Sequence, residues 1–225
     1  MALDVSPQAR AQRPVPAVSL PERVGRDGEG LLLEEFNQAV RRPDEFGGLS
    51  VVARLLDRIA EGEQRTTGSV WIPDTNARLA PSAMLRGAFP DSDVSVIASQ
   101  YGEDAHRRGW LRLDRDLTPA EHAGVVDRAV AWSESDRSLG DILAEFGPPS
   151  VTFGPQDPHR PKTLSYATDD PMAPVVAFHL GSARADSDPG AGDPESTGAV
   201  LLAVRVRDDF FDGWELTPSG LGRFH

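Results

Sequence analysis

Ala199-Val200-Leu201-Leu202-Ala203-Val204-Arg205-Val206-Arg207 is a strand-sized apolar run that ends in two arginine positions. The residues at every second position are all apolar: Val200, Leu202, Val204 and Val206. This period of two predicts a β-strand with one apolar face. Arg205 and Arg207 fall on the opposite face, so we expect that face to be in water. The run is far shorter than the roughly 20 residues that a membrane-spanning helix needs.

Three shorter segments before this run have the same β-like character, at residues 150–153, 163–167 and 175–180. Turn residues separate them, and no helical pattern lies between them. An antiparallel meander fits this order, with helices packed on one of its faces. The predicted fold class is therefore α+β, with an N-terminal helical hairpin and further helices packed on a mainly antiparallel, meander-like sheet.

The helical hairpin is predicted at residues 31–41 and 49–60, where apolar residues recur at helical spacing on either side of a Pro and Gly-Gly turn. Thr118 and Ser138 each precede an acidic residue by three positions, the spacing of a capping box, so each begins a helix. The first should run to about residue 133, and the second should stop at Gly147. Weaker signals predict short strands at 70–72, 94–98 and 110–113 and a short helix at 81–86.

The segment 138–153, a short helix ended by Gly147-Pro148-Pro149 and followed by a strand, resembles units of small helix-plus-sheet binding proteins. Outer-membrane assembly lipoproteins and β-lactamase inhibitor proteins are examples of such proteins. The resemblance is a fold analogy that implies an α+β arrangement and no particular function. The chain has no cysteine that could carry a lipid, so it implies nothing about location.

Residues 1–29 are rich in turn-forming and charged residues and lack an apolar period, which predicts a disordered or loosely held arm. Residues 30–225 are expected to form a single α+β body. A division near residue 103 is the alternative. The tail from 210 to 224 is apolar enough that we expect it to dock on this body.

The composition excludes several classes of function. There are 35 acidic against 23 basic residues, giving a formal net charge of −12, and there is no cysteine. A chain with this charge is repelled by nucleic-acid phosphates and by anionic membranes. The absence of cysteine removes thiol catalysis and Cys-ligated metals. No complete catalytic motif, cofactor motif or metal-ligand set is present, so we lean against an enzyme and expect a cytoplasmic protein without cofactor.

The acidic residues are concentrated near the C-terminus, where residues 186–215 hold eight of them against two arginines. Aromatic side chains lie among them, and the predicted partner-binding residues are Asp208, Asp209, Phe210, Phe211, Asp212 and Trp214. Carboxylates steer a basic partner, and aromatic rings anchor it. The leading hypothesis is a non-catalytic binding protein, regulatory or of the immunity type, that docks a basic protein surface.

The alternative hypothesis is an enzyme acting on a phosphorylated or carboxylated small molecule. His159, Arg160 and Lys162 form a basic loop that would hold the anion, and His179 would transfer a proton. A second basic cluster begins at His106. If folding brings the two clusters within about 8 Å, they form a shared anion site. The acidic loop 186–195 fails the EF-hand pattern, and the sequence leaves open whether it binds a cation.

Overall fold

The computed structural model describes residues 26–67, 89, 93–182, 198–206 and 213–224 of the chain. Its helices are α1 (Arg26–Arg41), α2 (Leu49–Thr67), α3 (Asp93–Arg107), α4 (Pro119–Trp132), α5 (Leu139–Phe146) and α6 (Pro218–Leu221), with 3-10 turns at Pro43–Glu45 and Gly222–Phe224. Its strands are β1 (Val151–Phe153), β2 (Lys162–Tyr166), β3 (Val176–Ser182), β4 (Ala199–Arg205) and β5 (Trp214–Leu216). The α+β prediction is confirmed.

The five strands form one sheet in the order β1-β2-β3-β4-β5, and every neighbouring pair is antiparallel. This is the predicted meander. The described part of the tail docks on it, because β5 extends the sheet by pairing with β4. Arg205 on β4 lies directly opposite Trp214 on β5.

Helices cover both faces of the sheet. On one face, Phe153 and Leu202 pack in a core shared with α1, α2 and α3. On the other face, Phe178 and Val204 pack against residues of α4 and α5. The expectation that one face is in water is therefore wrong, and Arg205 is buried with 3% of its surface exposed. The molecule has three layers, with the sheet in the middle.

A β-bulge in β4 changes which residues share a face. His179 pairs with Ala203 but Leu180 pairs with Leu201, so Leu202 is an extra residue. Leu202 and Val204 consequently lie on opposite faces, which corrects the prediction of a single apolar face. The Thr217 backbone N–H donates to the Leu202 carbonyl at 3.0 Å, and this bond fastens the C-terminal segment to the bulge.

The two predicted capping boxes are present. The Thr118 hydroxyl caps α4, and the Ser138 hydroxyl caps α5; each receives the backbone N–H three residues on, and each acidic partner accepts the cap N–H in return. Gly147 ends α5 with a φ of 74°, a conformation that glycine adopts without strain. These helix boundaries follow from local hydrogen bonds, which explains why they could be predicted.

The N-terminal hairpin is also present, but its limits differ from the prediction. Helix α1 begins at Arg26, four residues before the predicted start of the body. Residues 1–25 of the predicted arm lie outside the described residues, as do the segments 70–72 and 81–86. The alternative division near residue 103 falls inside α3.

Two strand predictions are wrong. Residues 94–98 belong to α3, where Ile97, Tyr101 and Ala105 are buried at helical spacing. Residues 110–113 form an irregular segment bound by the side chain of Asn37. Its amide donates to the Trp110 carbonyl at 2.8 Å and accepts from the Arg112 N–H at 2.7 Å, so a side chain replaces the strand that would otherwise satisfy these groups.

Candidate protein-binding surface

The connections between the strands lie alternately at the two ends of the sheet. In an antiparallel meander, alternate connections emerge at the same end. The β2 to β3 connection (167–175) therefore lies at the same end of the sheet as the end of β4 and the start of β5, and the β1 to β2 connection (154–161) lies at the same end as the end of β3 and the start of β4. The predicted acidic and aromatic segment 208–212 lies outside the described residues, but its flanking strand ends fix where the chain leaves and rejoins the sheet.

Three exposed carboxylates and one exposed apolar side chain lie on the chain segments at this end of the sheet. We call the set Asp116, Asp169, Asp170 and Met172 the acidic end. Met172 is 81% exposed. Asp116 is held beside the β2 to β3 connection because the next residue, Leu117, donates its N–H to the Ala167 carbonyl at 3.1 Å. None of these carboxylates forms an ion pair with another described residue.

A tight turn fixes the geometry of the acidic end. The Asp170 carboxylate accepts the Met172 N–H at 2.9 Å, and the Asp170 N–H donates to the Thr168 hydroxyl at 3.2 Å. The Ala173 N–H donates to the Asp170 carbonyl at 3.1 Å. These bonds present Met172 outward at the tip of the connection, between its neighbouring carboxylates.

His106 lies beneath the acidic end, in the last turn of α3. Its side chain is buried with 6% exposure. Burial lowers the pKa of His106, while Asp116 and Asp170 act in the opposite direction. Its Nε2 has no hydrogen-bond partner among the described residues. The ring is thus a buried titratable group without a hydrogen-bond partner at Nε2 in the described part of the chain.

The strand ends that flank segment 207–212 are tied to the core. Arg205 forms an ion pair with Glu103 of α3, and both side chains are 4% exposed. Trp214, a predicted anchor for the partner, is half-buried instead of free, because its ring stacks on His179 with 4.6 Å between centroids. Trp214 therefore lies at the start of β5, where only part of its ring is exposed to solvent.

His179, the predicted proton-transfer group, lies inside the molecule. It is fully buried, and its Nδ1 is 2.9 Å from the Thr163 hydroxyl. Burial, reinforced by the charge of Arg205, lowers the pKa of His179 well below its ordinary value. The ring is therefore neutral at physiological pH, and a structural role explains its contacts.

The basic loop lies at the opposite end of the sheet. His159 and Arg160 are exposed, but Lys162 is 3% exposed. The Lys162 ammonium donates to the backbone carbonyls of Pro155 at 2.8 Å and Asp157 at 2.6 Å. Burial lowers the pKa of Lys162, and Asp157 partly offsets this effect. Lys162 therefore closes the loop from inside, while Arg160 faces solvent.

The two basic clusters lie on different elements. His106 lies in the last turn of α3, and Lys162 begins β2. The shared anion site stays a prediction.

A shallow groove of about 210 Å³ adjoins the basic loop. It is lined by Arg42, Pro43, Asp44, Glu45, Val94, Ser95, Gly154, Pro155, Arg160 and Pro161. Arg42 is paired with Glu45 at 3.2 Å, and Arg160 has no ion-pair partner among the described residues. The groove therefore offers one unpaired guanidinium beside acidic neighbours, a weak arrangement for an anion.

Within the described ranges, no group of three or more His, Asp or Glu side chains is placed to hold a metal ion. No helix in that part of the chain is both long enough and apolar enough to cross a bilayer. Comparison with protein-family models, with curated proteins and with solved structures gives no match.

Asp169, Asp170 and Met172 are not among the residues that charge density predicts, because that density is highest at residues 186–215. The strand order contains a signal for them. An Asp-Asp pair occupies the turn between two predicted strands, and a meander places that turn at the same end as the strand ends that flank residues 206–213.

Proposed function

We propose that the chain is a non-catalytic binding protein whose acidic end docks a basic protein surface. The observation that carries the proposal is that Asp116, Asp169 and Asp170 are exposed near the exposed Met172 and form no ion pair with another described residue. Exposed carboxylates without a basic neighbour can pair with Lys and Arg side chains of a partner. A regulatory or immunity-type protein would be one instance of this function.

Segment 207–212, between β4 and β5 in sequence, is also rich in acidic residues. Asp208, Asp209 and Asp212 lie between β4 and β5, in a segment with a single arginine. The end of β4 is one strand spacing from the start of β3, or roughly 5 Å, and the start of β5 is two spacings away, or roughly 10 Å. These carboxylates add to the negative charge on which the proposal depends.

Met172 supplies the apolar contact that such an interface needs. Exposed methionine is common at binding surfaces, because its flexible thioether adapts to varied shapes. Charged groups around an apolar centre increase the rate of association, while the centre gives the complex its lifetime. Phe210 and Phe211 are the further apolar candidates from the sequence.

The experiment compares capture of proteins from native lysate by three forms of the chain. The wild type is compared with the variant Asp116→Asn, Asp169→Asn, Asp170→Asn. The amide oxygen of asparagine can still accept the Met172 N–H, so the turn is retained. The matched control is Glu35→Gln, Asp57→Asn, Asp127→Asn, which removes three exposed carboxylates from α1, α2 and α4.

The proposal expects the captured proteins to be basic, to disappear with the acidic-end variant and to persist with the control. Equal capture by wild type and the acidic-end variant would overturn it. Loss of capture by the control as well would show that net charge acts without a site, which also contradicts the proposal. The variant Asp208→Asn, Asp209→Asn, Asp212→Asn tests the contribution of the neighbouring segment in the same assay.

The alternative function, an enzyme acting on a phosphorylated or carboxylated small molecule, is favoured by one observation. Arg160, on the wall of the groove next to His159, has no ion-pair partner in the part of the chain that the structure describes. A thermal-shift panel of nucleotides and sugar phosphates tests it, since a ligand at 100 times its Kd adds about 2.7 kcal/mol to the stability. A shift that is absent from Arg160→Gln supports this alternative, and no shift with any compound removes it.

A further inference from the structure

We propose that the groove beside the basic loop binds a free α-amino acid with an aliphatic side chain. Arg160 would hold the carboxylate of this ligand, and Asp44 would hold its ammonium group. The groove contains no residue of the acidic end, so this function is additional to the proposed docking and does not depend on it.

Two opposite charges line the groove without pairing. Asp44 and Arg160 are both exposed, and neither forms an ion pair with the other or with any further residue in the described ranges. Arg42 and Glu45 also line the groove, but they neutralise each other at 3.2 Å. One carboxylate and one guanidinium therefore remain, and they are too far apart to form an ion pair. A ligand that carries both charges can pair with both groups.

The mixture of charges argues against a simple anion or a simple cation. A lone carboxylate or phosphate on Arg160 would be repelled by Asp44, and a lone ammonium group on Asp44 would be repelled by Arg160. A zwitterion avoids both penalties, because each of its charges meets the opposite charge on the groove wall.

The backbone holds the two walls of the groove together. One wall is the 3-10 turn Pro43–Glu45, and the other is the β1 to β2 connection. The Gly154 N–H donates to the Arg41 carbonyl at 2.7 Å, so the connection is bonded to the chain just before the turn. The backbone segments that carry Asp44 and Arg160 are therefore positioned by the fold, as in a preformed binding site.

The size and the apolar walls of the groove narrow the ligand further. Its volume of about 210 Å³ is below the roughly 300–1,000 Å³ of pockets for drug-sized ligands, which favours a ligand smaller than a nucleotide. Pro43, Val94, Pro155 and Pro161 provide apolar contacts for an aliphatic side chain. The described lining includes no aromatic ring on which a planar base could stack.

The test is an NMR titration of the isotope-labelled full chain with millimolar L-leucine. We expect saturable shifts of backbone amides that line the groove, such as those of Val94 and Gly154. Two matched ligands each lack one charge of leucine: 4-methylpentanoate has no ammonium group, and 3-methylbutylamine has no carboxylate. Each should bind more weakly than leucine by about tenfold or more, because one charged hydrogen bond is lost.

Two variants assign each charge of the ligand to a residue. Arg160→Gln should weaken leucine binding by about tenfold and remove the advantage of leucine over 3-methylbutylamine. Asp44→Asn should weaken it similarly and remove the advantage over 4-methylpentanoate. The matched controls are Asp57→Asn and Arg58→Gln, which change exposed residues of α2 outside the lining, and both should bind leucine as the wild type does.

Three results would overturn the inference: no saturable shifts with leucine, equal binding of leucine and 4-methylpentanoate, or wild-type binding by both groove variants. Equal binding of leucine and 4-methylpentanoate would show an anion site, in which Asp44 has no part. None of these results affects capture by the acidic end, and loss of that capture leaves the groove prediction intact, so the two proposals fail separately.

Discussion

Glu103 on α3 and Arg205 on β4 form an ion pair in the interior, between residues that are 102 positions apart in the chain. Arg107 approaches the same carboxylate at 3.2 Å from the surface side. Arg205 also lies 5.9 Å from the centre of the Trp214 ring. The pair thus joins the N-terminal helical layer to the sheet at the point where the chain leaves for segment 207–212.

Glu103→Gln should reduce the free energy of unfolding by about 3–5 kcal/mol, because it leaves Arg205 buried without its counter-charge. The double variant Glu103→Leu, Arg205→Met should be less destabilised than the single one, since no buried charge remains. Urea unfolding measures both. Glu61→Gln, at an exposed pair with Arg65, is the control and should change stability by less than about 0.5 kcal/mol. A single variant as stable as wild type would contradict the role of the pair.

The buried His179 should make stability depend on pH in acid. Its pKa in the folded protein is lowered, so the unfolded chain binds a proton there more readily. Stability is therefore constant above about 6.5 and falls as the pH decreases below it, by at most about 1.4 kcal/mol per pH unit from this group. In the variant Thr163→Val, His179→Leu, the decline should be shallower. Urea unfolding at pH 7.5, 6.5 and 5.5 checks the slope, and identical slopes would rule the effect out.

Gly102 and Gly62 offer a matched pair of helix substitutions. A Cβ at Gly102 would lie 2.4 Å from Cζ of Phe153, so α3 could not keep its distance from β1. A Cβ at Gly62 meets nothing within 4 Å. Gly102→Ala should therefore destabilise by about 1–3 kcal/mol, and Gly62→Ala should stabilise α2 by up to about 1 kcal/mol. Thermal unfolding measures both, and changes of the same sign would be inconsistent with this packing.

The α5 cap gives a prediction with two readouts. Ser138→Ala should cost about 1 kcal/mol, because the hydroxyl accepts the Asp141 N–H at the start of the helix. Hydrogen bonds from the Ser138 backbone and hydroxyl lower the pKa of Asp141, so the variant should bring that pKa back toward 3.8. Urea unfolding and NMR titration measure the two effects. Ser135→Ala, three residues before the cap, should leave both quantities unchanged.

Local patterns were sufficient to predict the helix caps and the meander, because their hydrogen bonds join residues close in sequence. Three features depended on distant residues and could not be predicted. Arg205 was expected in water because the sequence does not show that Glu103 meets it. The segment 94–98 has the β-branched composition of a strand, but burial of Ile97 and Tyr101 on one face makes it helical. The bulge at Leu202 depends on its fit to Thr217.

The partner-binding surface stays a prediction, because its central residues are not described. Charge density indicated the C-terminal acidic segment, but its central residues lie outside the described part of the chain. The turn that holds Asp169 and Asp170 lies at the same end of the sheet as the strand ends that flank this segment. Only the alternation of connections in the meander shows this, because the two are distant in sequence. In the basic loop, composition indicated three exposed basic side chains. It cannot show that the Lys162 ammonium is buried and donates to two backbone carbonyls.

The three-layer arrangement has a consequence for synthesis on the ribosome. Helices α1 to α3 are made first, but the sheet that covers their apolar side is completed only with β5. About 110 residues separate the end of α3 from the end of β5, which corresponds to roughly 5–20 s of translation. During that interval Phe36, Val40 and Val52 have no sheet to pack against. The nascent chain should therefore be a client for chaperones that recognise apolar helices, until the last hairpin emerges.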